Sequence, residues 1–285
     1  PSRGKTDFAG GVADGTYGAT GFIQERGDLK ARKSWFFFDD EAVALGSGID
    51  GGSLPVNTTL DQCLKSSAVV IKSSGKESSL EKTASFDGTL EWAHHRGLGF
   101  LFLEPSRVLL KSEAQSGSWK ELSTSASPEK ISMDVFSAVI DHGASAKNKS
   151  YAYAVVPAEL AAFKNYTGSA HFKVLANTAK LAAVEHPAKG IVEAIFYEAG
   201  ALSTVSGLRL TTDGPAAILL KKTGEGWMLS YADPSAKNAK LVLTVNRKWS
   251  GKSAGPDGAS GTKLSFSMPA GDEAGKSTTE TYLEK

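Results

Sequence analysis

The stretch LSFSM, Leu264–Met268, decides the fold class. Three apolar side chains alternate with two serines. Successive side chains of a strand point to opposite faces, so the stretch reads as a strand with one dry face and one wet face. The same texture recurs outward from it, at Val69–Ile71, Leu98–Leu103, Val108–Lys111, Tyr151–Val156 and Leu241–Val245. Each run is short, rich in β-branched, aromatic or alternating apolar residues, and bounded by Gly, Ser, Asp or Pro. Ala216–Leu220 and Trp227–Tyr231 flank Thr223-Gly-Glu-Gly226, which predicts a hairpin. Helical signal is confined to Ala158–Phe163 and Leu181–Glu185, each under two turns. The expectation is an all-β chain of stacked antiparallel sandwiches with one or two small helices. A change of texture near Gly168, after the linker-like Pro157–Gly168, predicts a division into residues 1–168 and 169–285.

Composition narrows the function classes. The chain has 285 residues, 41% hydrophobic and 22% charged, with a net charge of +1. That balance supports a buried core and offers no basic field for nucleic acid or membranes. No run approaches the ~18 apolar residues of a membrane span. Cys63 is the one cysteine, so an internal disulfide is impossible and a free thiol is expected. The chain opens without methionine, so Pro1 is expected to follow a processed segment, and Pro1–Lys5 reads as an exposed loop. Asn57, Asn148 and Asn165 head glycosylation sequons that matter only in a secreted eukaryotic protein.

Residues suited to acid, base or metal chemistry are sparse. His94 and His95 are adjacent in a strand-like stretch, so their rings face opposite ways and cannot share one metal ion. Asp39-Asp40-Glu41 is a candidate calcium set, weighed against a solvated acidic turn after Trp35–Phe38. No other metal ligands and no cofactor are expected. Aromatic and basic residues make a better case. Arg32, Lys33 and Trp35 cluster, as do Trp92, His95 and Arg96. Sugar rings stack on aromatic faces, and uronic carboxylates pair with Arg and Lys. These six are the candidate substrate-binding residues, weighed against a core role for both tryptophans. Within Ala31–Phe38 read as a strand, Lys33 and Trp35 share one face, while Ser34 and Phe36 take the other.

Ordered motifs carry a family resemblance. They are FAGGVADGTYG (Phe8–Gly18), KARKSWFFFDDEAVALGSGI (Lys30–Ile49), PVNTTLDQ (Pro55–Gln62), WAHHRGLGFLF (Trp92–Phe102), GSWKEL (Gly117–Leu122) and IDHGASAKNKSYAYAVVP (Ile140–Pro157). FKVLANTAKLAAVEH (Phe172–His186), AIFYEAGAL (Ala194–Leu202) and LSYADPS (Leu229–Ser235) continue the series. Together they resemble the β portion of polysaccharide lyase family 8, whose members cleave hyaluronan, chondroitin or xanthan. Ala146 stands where that family usually has proline. The resemblance implies a large antiparallel super-sandwich followed by a smaller β-sandwich. It also implies an acidic polysaccharide as partner and β-elimination beside a uronic acid. The family's catalytic Asn, His, Tyr and Arg come from an upstream α/α toroid, and no position here matches them, so no catalytic residue is assigned. The expectation is a secreted chain, inactive alone, that forms one wall of the substrate cleft and leans on an upstream segment for its first strands. A free-standing carbohydrate-binding protein is the alternative.

Overall fold

The structure, a computed structural model, describes residues 5–80, 84–167 and 171–285. Of the expected loop Pro1–Lys5 only Lys5 is described, and it is exposed; the expected boundary at Gly168 also lies outside the described residues. Strand accounts for 61% of the chain and helix for 6%, so the all-β expectation holds.

The chain opens with β1 (Ala9–Ala13), β2 (Gly18–Arg26), β3 (Leu29–Phe37) and β4 (Ala42–Asp50). It continues with β5 (Pro55–Leu64), β6 (Val69–Ser73), β7 (Lys76–Leu80), β8 (Ala84–Thr89), β9 (Trp92–His95), β10 (Leu98–Phe102), β11 (Arg107–Ser118), β12 (Lys130–Ala144) and β13 (Lys149–Pro157). Helix α1 (Leu160–Thr167) follows. Then come β14 (Lys173–Asn177), β15 (Leu181–His186), β16 (Ile191–Phe196), β17 (Gly200–Ser203), β18 (Arg209–Thr212), β19 (Ala216–Lys222), β20 (Gly226–Ala232) and β21 (Lys240–Val245). The last strands are β22 (Trp249–Ser250), β23 (Ala254–Asp257), β24 (Gly261–Ser267) and β25 (Thr278–Glu284). Contacts cluster these elements into two compact units, each discontinuous along the chain.

The first unit comprises Pro1–Asp50, Lys147–Ala152 and Gly168–Lys285. It is built in three layers. A seven-stranded sheet, ordered β14-β15-β16-β19-β20-β25-β22, packs against a five-stranded sheet ordered β17-β18-β21-β24-β23. Phe196, Leu210, Ile218, Leu229, Leu243, Leu264 and Tyr282 fill the space between them. The serine alternation that announced the fold is realised in β24, where Thr262, Leu264 and Phe266 are buried while Lys263, Ser265 and Ser267 are exposed. The antiparallel run β1-β2-β3-β4 covers the other face of the seven-stranded sheet. Ile195 presses on Gly21, where an added Cβ would meet its Cγ2 at 2.8 Å. Ser34 Oγ and the Tyr197 hydroxyl share a buried hydrogen bond of 2.7 Å.

Burial from both sides explains a correction. Leu181–Glu185 has helix-forming residues, yet it lies in β15, buried at all six positions. A strand covered on both faces loses its alternation and reads like a short buried helix. The edge of the layer is partly closed by the chain itself. Ala9 N–H donates to the Pro234 carbonyl at 3.1 Å, and Ala13 N–H donates to Ser277 Oγ at 3.1 Å.

The second unit comprises Gly51–Ala146 and Tyr153–Thr167. It contains a four-stranded sheet ordered β5-β12-β11-β8. A second run joins the end of β13 to β10, β9, β6 and β7. Helix α1 seats Phe163 on β10. A Cβ at Gly99 would lie 2.1 Å from the Phe163 ring, so only glycine lets the helix approach this closely. Trp92 meets the same ring edge-on at 5.6 Å.

Candidate functional site

Strand alternation sorts the first cluster. Thr20 and Phe22 of β2 stand beside Trp35 and Lys33 of β3. Phe22 and Trp35 stack with ring centroids 5.9 Å apart and planes 7° apart. All four side chains are half-buried, and Phe37, two residues beyond Trp35, is 45% exposed. The result is an aromatic strip with an ammonium at one end. Burial lowers the pKa of Lys33, and the Coulomb attraction of an anion brought to it would offset that penalty. Trp35 is therefore neither a core residue nor a free surface ring.

Arg32 does not belong to this strip. One residue from Lys33 in a strand, it takes the opposite face. There its Nε is buried without a hydrogen-bond partner among the described residues, and its Nη1 lies 3.2 Å from where a Cβ would stand on Gly48.

The second cluster also separates. Trp92 is 2% exposed and packs in the core with Val156 and Phe163. His95 is 0% exposed and its ring lies 4.5 Å from that of Phe136. Neither presents a face to a polymer, which corrects their grouping with a binding surface. Arg96 is exposed, in the left-handed conformation (φ 56°) that turns β9 into β10. His94 and His95 do face opposite ways: His94 Nε2 bonds the Ala158 carbonyl at 2.8 Å, while His95 Nδ1 lies 3.7 Å from Cys63 Sγ.

The acidic triplet also comes apart. Asp39 pairs with Lys189 and Asp40 is exposed. Glu41 is buried, with Oε1 3.6 Å from His186 Nε2. Burial lowers the pKa of His186, with Lys189 adding to the effect. The three carboxylates do not form a close ligand group among the described residues, so they make no calcium cage. Asn57, Asn148 and Asn165 are all exposed.

Besides Phe37, a second exposed aromatic escaped the sequence reading. Trp119, in a short 3₁₀ turn after β11, is 59% exposed. With Leu64, Leu122, Ile131 and Met133 it lines a shallow groove of about 320 Å³. Its signal was the apolar Trp and Leu set in the polar GSWKEL, a tryptophan no strand pattern needs.

Acid–base chemistry has little to work with. His94, His95, His142 and His186 are buried, and His171 is half-buried. Burial raises the phenol pKa of Tyr17, Tyr153, Tyr197, Tyr231 and Tyr282, to about 12 at Tyr197 and Tyr231. A tyrosine serving as a base near neutral pH needs the opposite shift. This arrangement can hold and stack a ligand; it is poorly placed to abstract a proton.

The fold is an all-β stack of antiparallel sheets with a half-buried aromatic strip beside Lys33, and comparison gives the family. Residues 1–167 match the super-sandwich domain of polysaccharide lyase family 8, and residues 173–242 match its C-terminal beta-sandwich domain. The chain belongs to polysaccharide lyase family 8. It is 39% identical to a chondroitinase-AC of Pedobacter heparinus, over 88% of this chain and 36% of that protein. It is 30% identical to a hyaluronate lyase of Thermasporomyces composti, over 84% of this chain and 31% of the relative. A solved chondroitinase AC lyase superposes with a TM-score of 0.87 at 33% identity, covering 98% of this chain and 40% of that one. A Paenibacillus xanthan lyase gives 0.88 at 25% identity, covering 100% and 29%. The chain thus spans about a third of the length of the curated relatives it matches.

Proposed function

We propose that this chain is the β portion of a secreted polysaccharide lyase that acts by β-elimination on a uronic-acid polymer. It forms one wall of the substrate cleft, and an upstream α/α-toroid segment supplies the catalytic groups. Residues 1–168 serve as the super-sandwich module and residues 169–285 as the terminal sandwich. The observation that carries the reading is the match itself, which covers residues 1–167 and 173–242 of this chain and only about a third of each relative. The buried histidines and raised tyrosines support the placement of chemistry elsewhere. Lys33, Trp35 and Phe37 are the residues offered to an acidic sugar.

The test is ultraviolet absorbance of the unsaturated uronic product, with chondroitin, hyaluronan and xanthan as substrates. The isolated chain is expected to form none. The chain joined to a toroid segment of a relative is expected to form product. Steady turnover by the isolated chain, abolished by a substitution within it, would overturn the reading.

A further inference from the structure

In the second unit, strand β5 carries a bulge. Ala138 of β12 pairs with Asp61 while the next residue, Val139, pairs with Thr59, so Leu60 is extra. A bulge reverses the phase of the side chains beyond it. Thr58 is buried before the bulge; after it, Asp61 and Cys63 are half-buried, while Gln62 and Leu64 are exposed. Asp61 and Cys63 are therefore turned to the inner side, two residues apart on one face. Opposite them stands His95, the last residue of β9, at the mouth of the Arg96-Gly97 turn, where both residues have positive φ.

Three different donor atoms meet there. Cys63 Sγ lies 3.5 Å from Asp61 Oδ2 and 3.7 Å from His95 Nδ1, and all three donors fall within 4.8 Å of one another. Tetrahedral zinc, with Zn–S near 2.3 Å and Zn–N or Zn–O near 2.0–2.1 Å, sets the sulfur about 3.6 Å from each neighbouring ligand atom. Both separations, 3.5 and 3.7 Å, lie close to that value. The His95 ring is fully buried against Phe136, and its Nε2 has no hydrogen-bond partner among the described residues. A metal ion on Nδ1 would replace the weak thiol contact with a ligand bond and leave the Nε2 N–H as it is.

The geometry points to Asp61, Cys63 and His95 as three ligands of a divalent transition-metal ion of the zinc class, with a fourth position left open. Thiolate, imidazole and carboxylate together select zinc or cobalt(II) over calcium or magnesium. One thiolate and one carboxylate balance the double positive charge. On binding, the Cys63 S–H bond breaks, the sulfur lone pair goes to the metal and one proton leaves to solvent. Burial holds the free thiol protonated, with Asp61 adding to the effect, so the metal must displace that proton. The Arg96 charge bears on both Cys63 and His95 and opposes a cation, which leaves the thiolate as the main source of affinity. The site stands apart from the proposed lyase role, which requires no metal from this chain.

The test uses the full chain, stripped with a chelator under reducing conditions and titrated with cobalt(II) chloride. One equivalent is expected to produce a near-ultraviolet thiolate-to-cobalt charge-transfer band, and zinc chloride is expected to bleach it. C63S is expected to lose the band. D61N, which removes one of the three ligands, is expected to keep the band with affinity lowered by at least the roughly tenfold that loss of an outer-shell partner costs. Both positions are half-buried, so circular dichroism serves as the control for folding, and zinc protection of Cys63 from a thiol reagent gives a second readout in the unaltered chain. Absence of the band at one equivalent, or equal cobalt affinity in C63S, would overturn the assignment.

Discussion

Glu193 sits in β16 with its carboxyl on the face covered by β1–β4, and it is 0% exposed. Burial pushes its pKa up to about 9, and the proximity of Asp14 adds to this. The backbone N–H groups of Phe37 and Gly18 pull it down, yet neither carboxyl oxygen has a hydrogen-bond partner of normal geometry among the described residues. The side chain therefore keeps its proton at neutral pH. In the unfolded chain the same group titrates at its ordinary value of 4.5. A raised pKa contributes stability that is whole below the unfolded value and lost as pH rises toward the folded one. At ~1.36 kcal/mol per pH unit the loss reaches about 3 kcal/mol by pH 7 and about 6 kcal/mol by pH 9. The perturbation is E193Q, which keeps the shape and removes the titration. Urea unfolding at pH 5, 7 and 9 is the assay. The amide's own burial shifts the variant equally at every pH, so the slope carries the result. The variant's stability relative to the parent is expected to rise by about 2–3 kcal/mol from pH 5 to pH 7 and to go on rising to pH 9. Parallel profiles would refute the reasoning.

Three further outcomes are expected. G99A places a Cβ against the Phe163 ring and should lower unfolding stability by roughly 1–3 kcal/mol, as overpacking does; G46A meets Tyr151 at 2.1 Å and should do the same, with thermal melts as the check. W92A should cost about 3–5 kcal/mol, the range for deleting a core aromatic, measured by denaturant unfolding. Affinity electrophoresis in gels containing chondroitin sulfate should show weaker retardation for K33A and W35A than for the parent, while T281A on the exposed side of β25 should leave retardation unchanged.

The fold class was legible because water writes alternation into any strand with one wet face. Leu264–Met268 shows this, as does the Thr223–Gly226 hairpin, where the Thr223 N–H bonds the Gly226 carbonyl at 2.8 Å. The rule fails where both faces are dry. Leu181–His186 lost its alternation to a second covering layer, and that layer comes from a segment some 150 residues earlier in the chain. Alternation also placed Lys33 and Trp35 on one face and Arg32 on the other, so that much of the candidate strip was written locally. How deeply Trp35 or Trp92 is covered was not, because coverage is set by distant partners such as Phe163 on α1. The Asp61-Cys63-His95 cluster was the least legible. A bulge at Leu60 turned Asp61 and Cys63 inward, and His95 arrives from another sheet 32 residues away. No spacing rule along one strand encodes a meeting between two sheets; only their packing brings the three donors together.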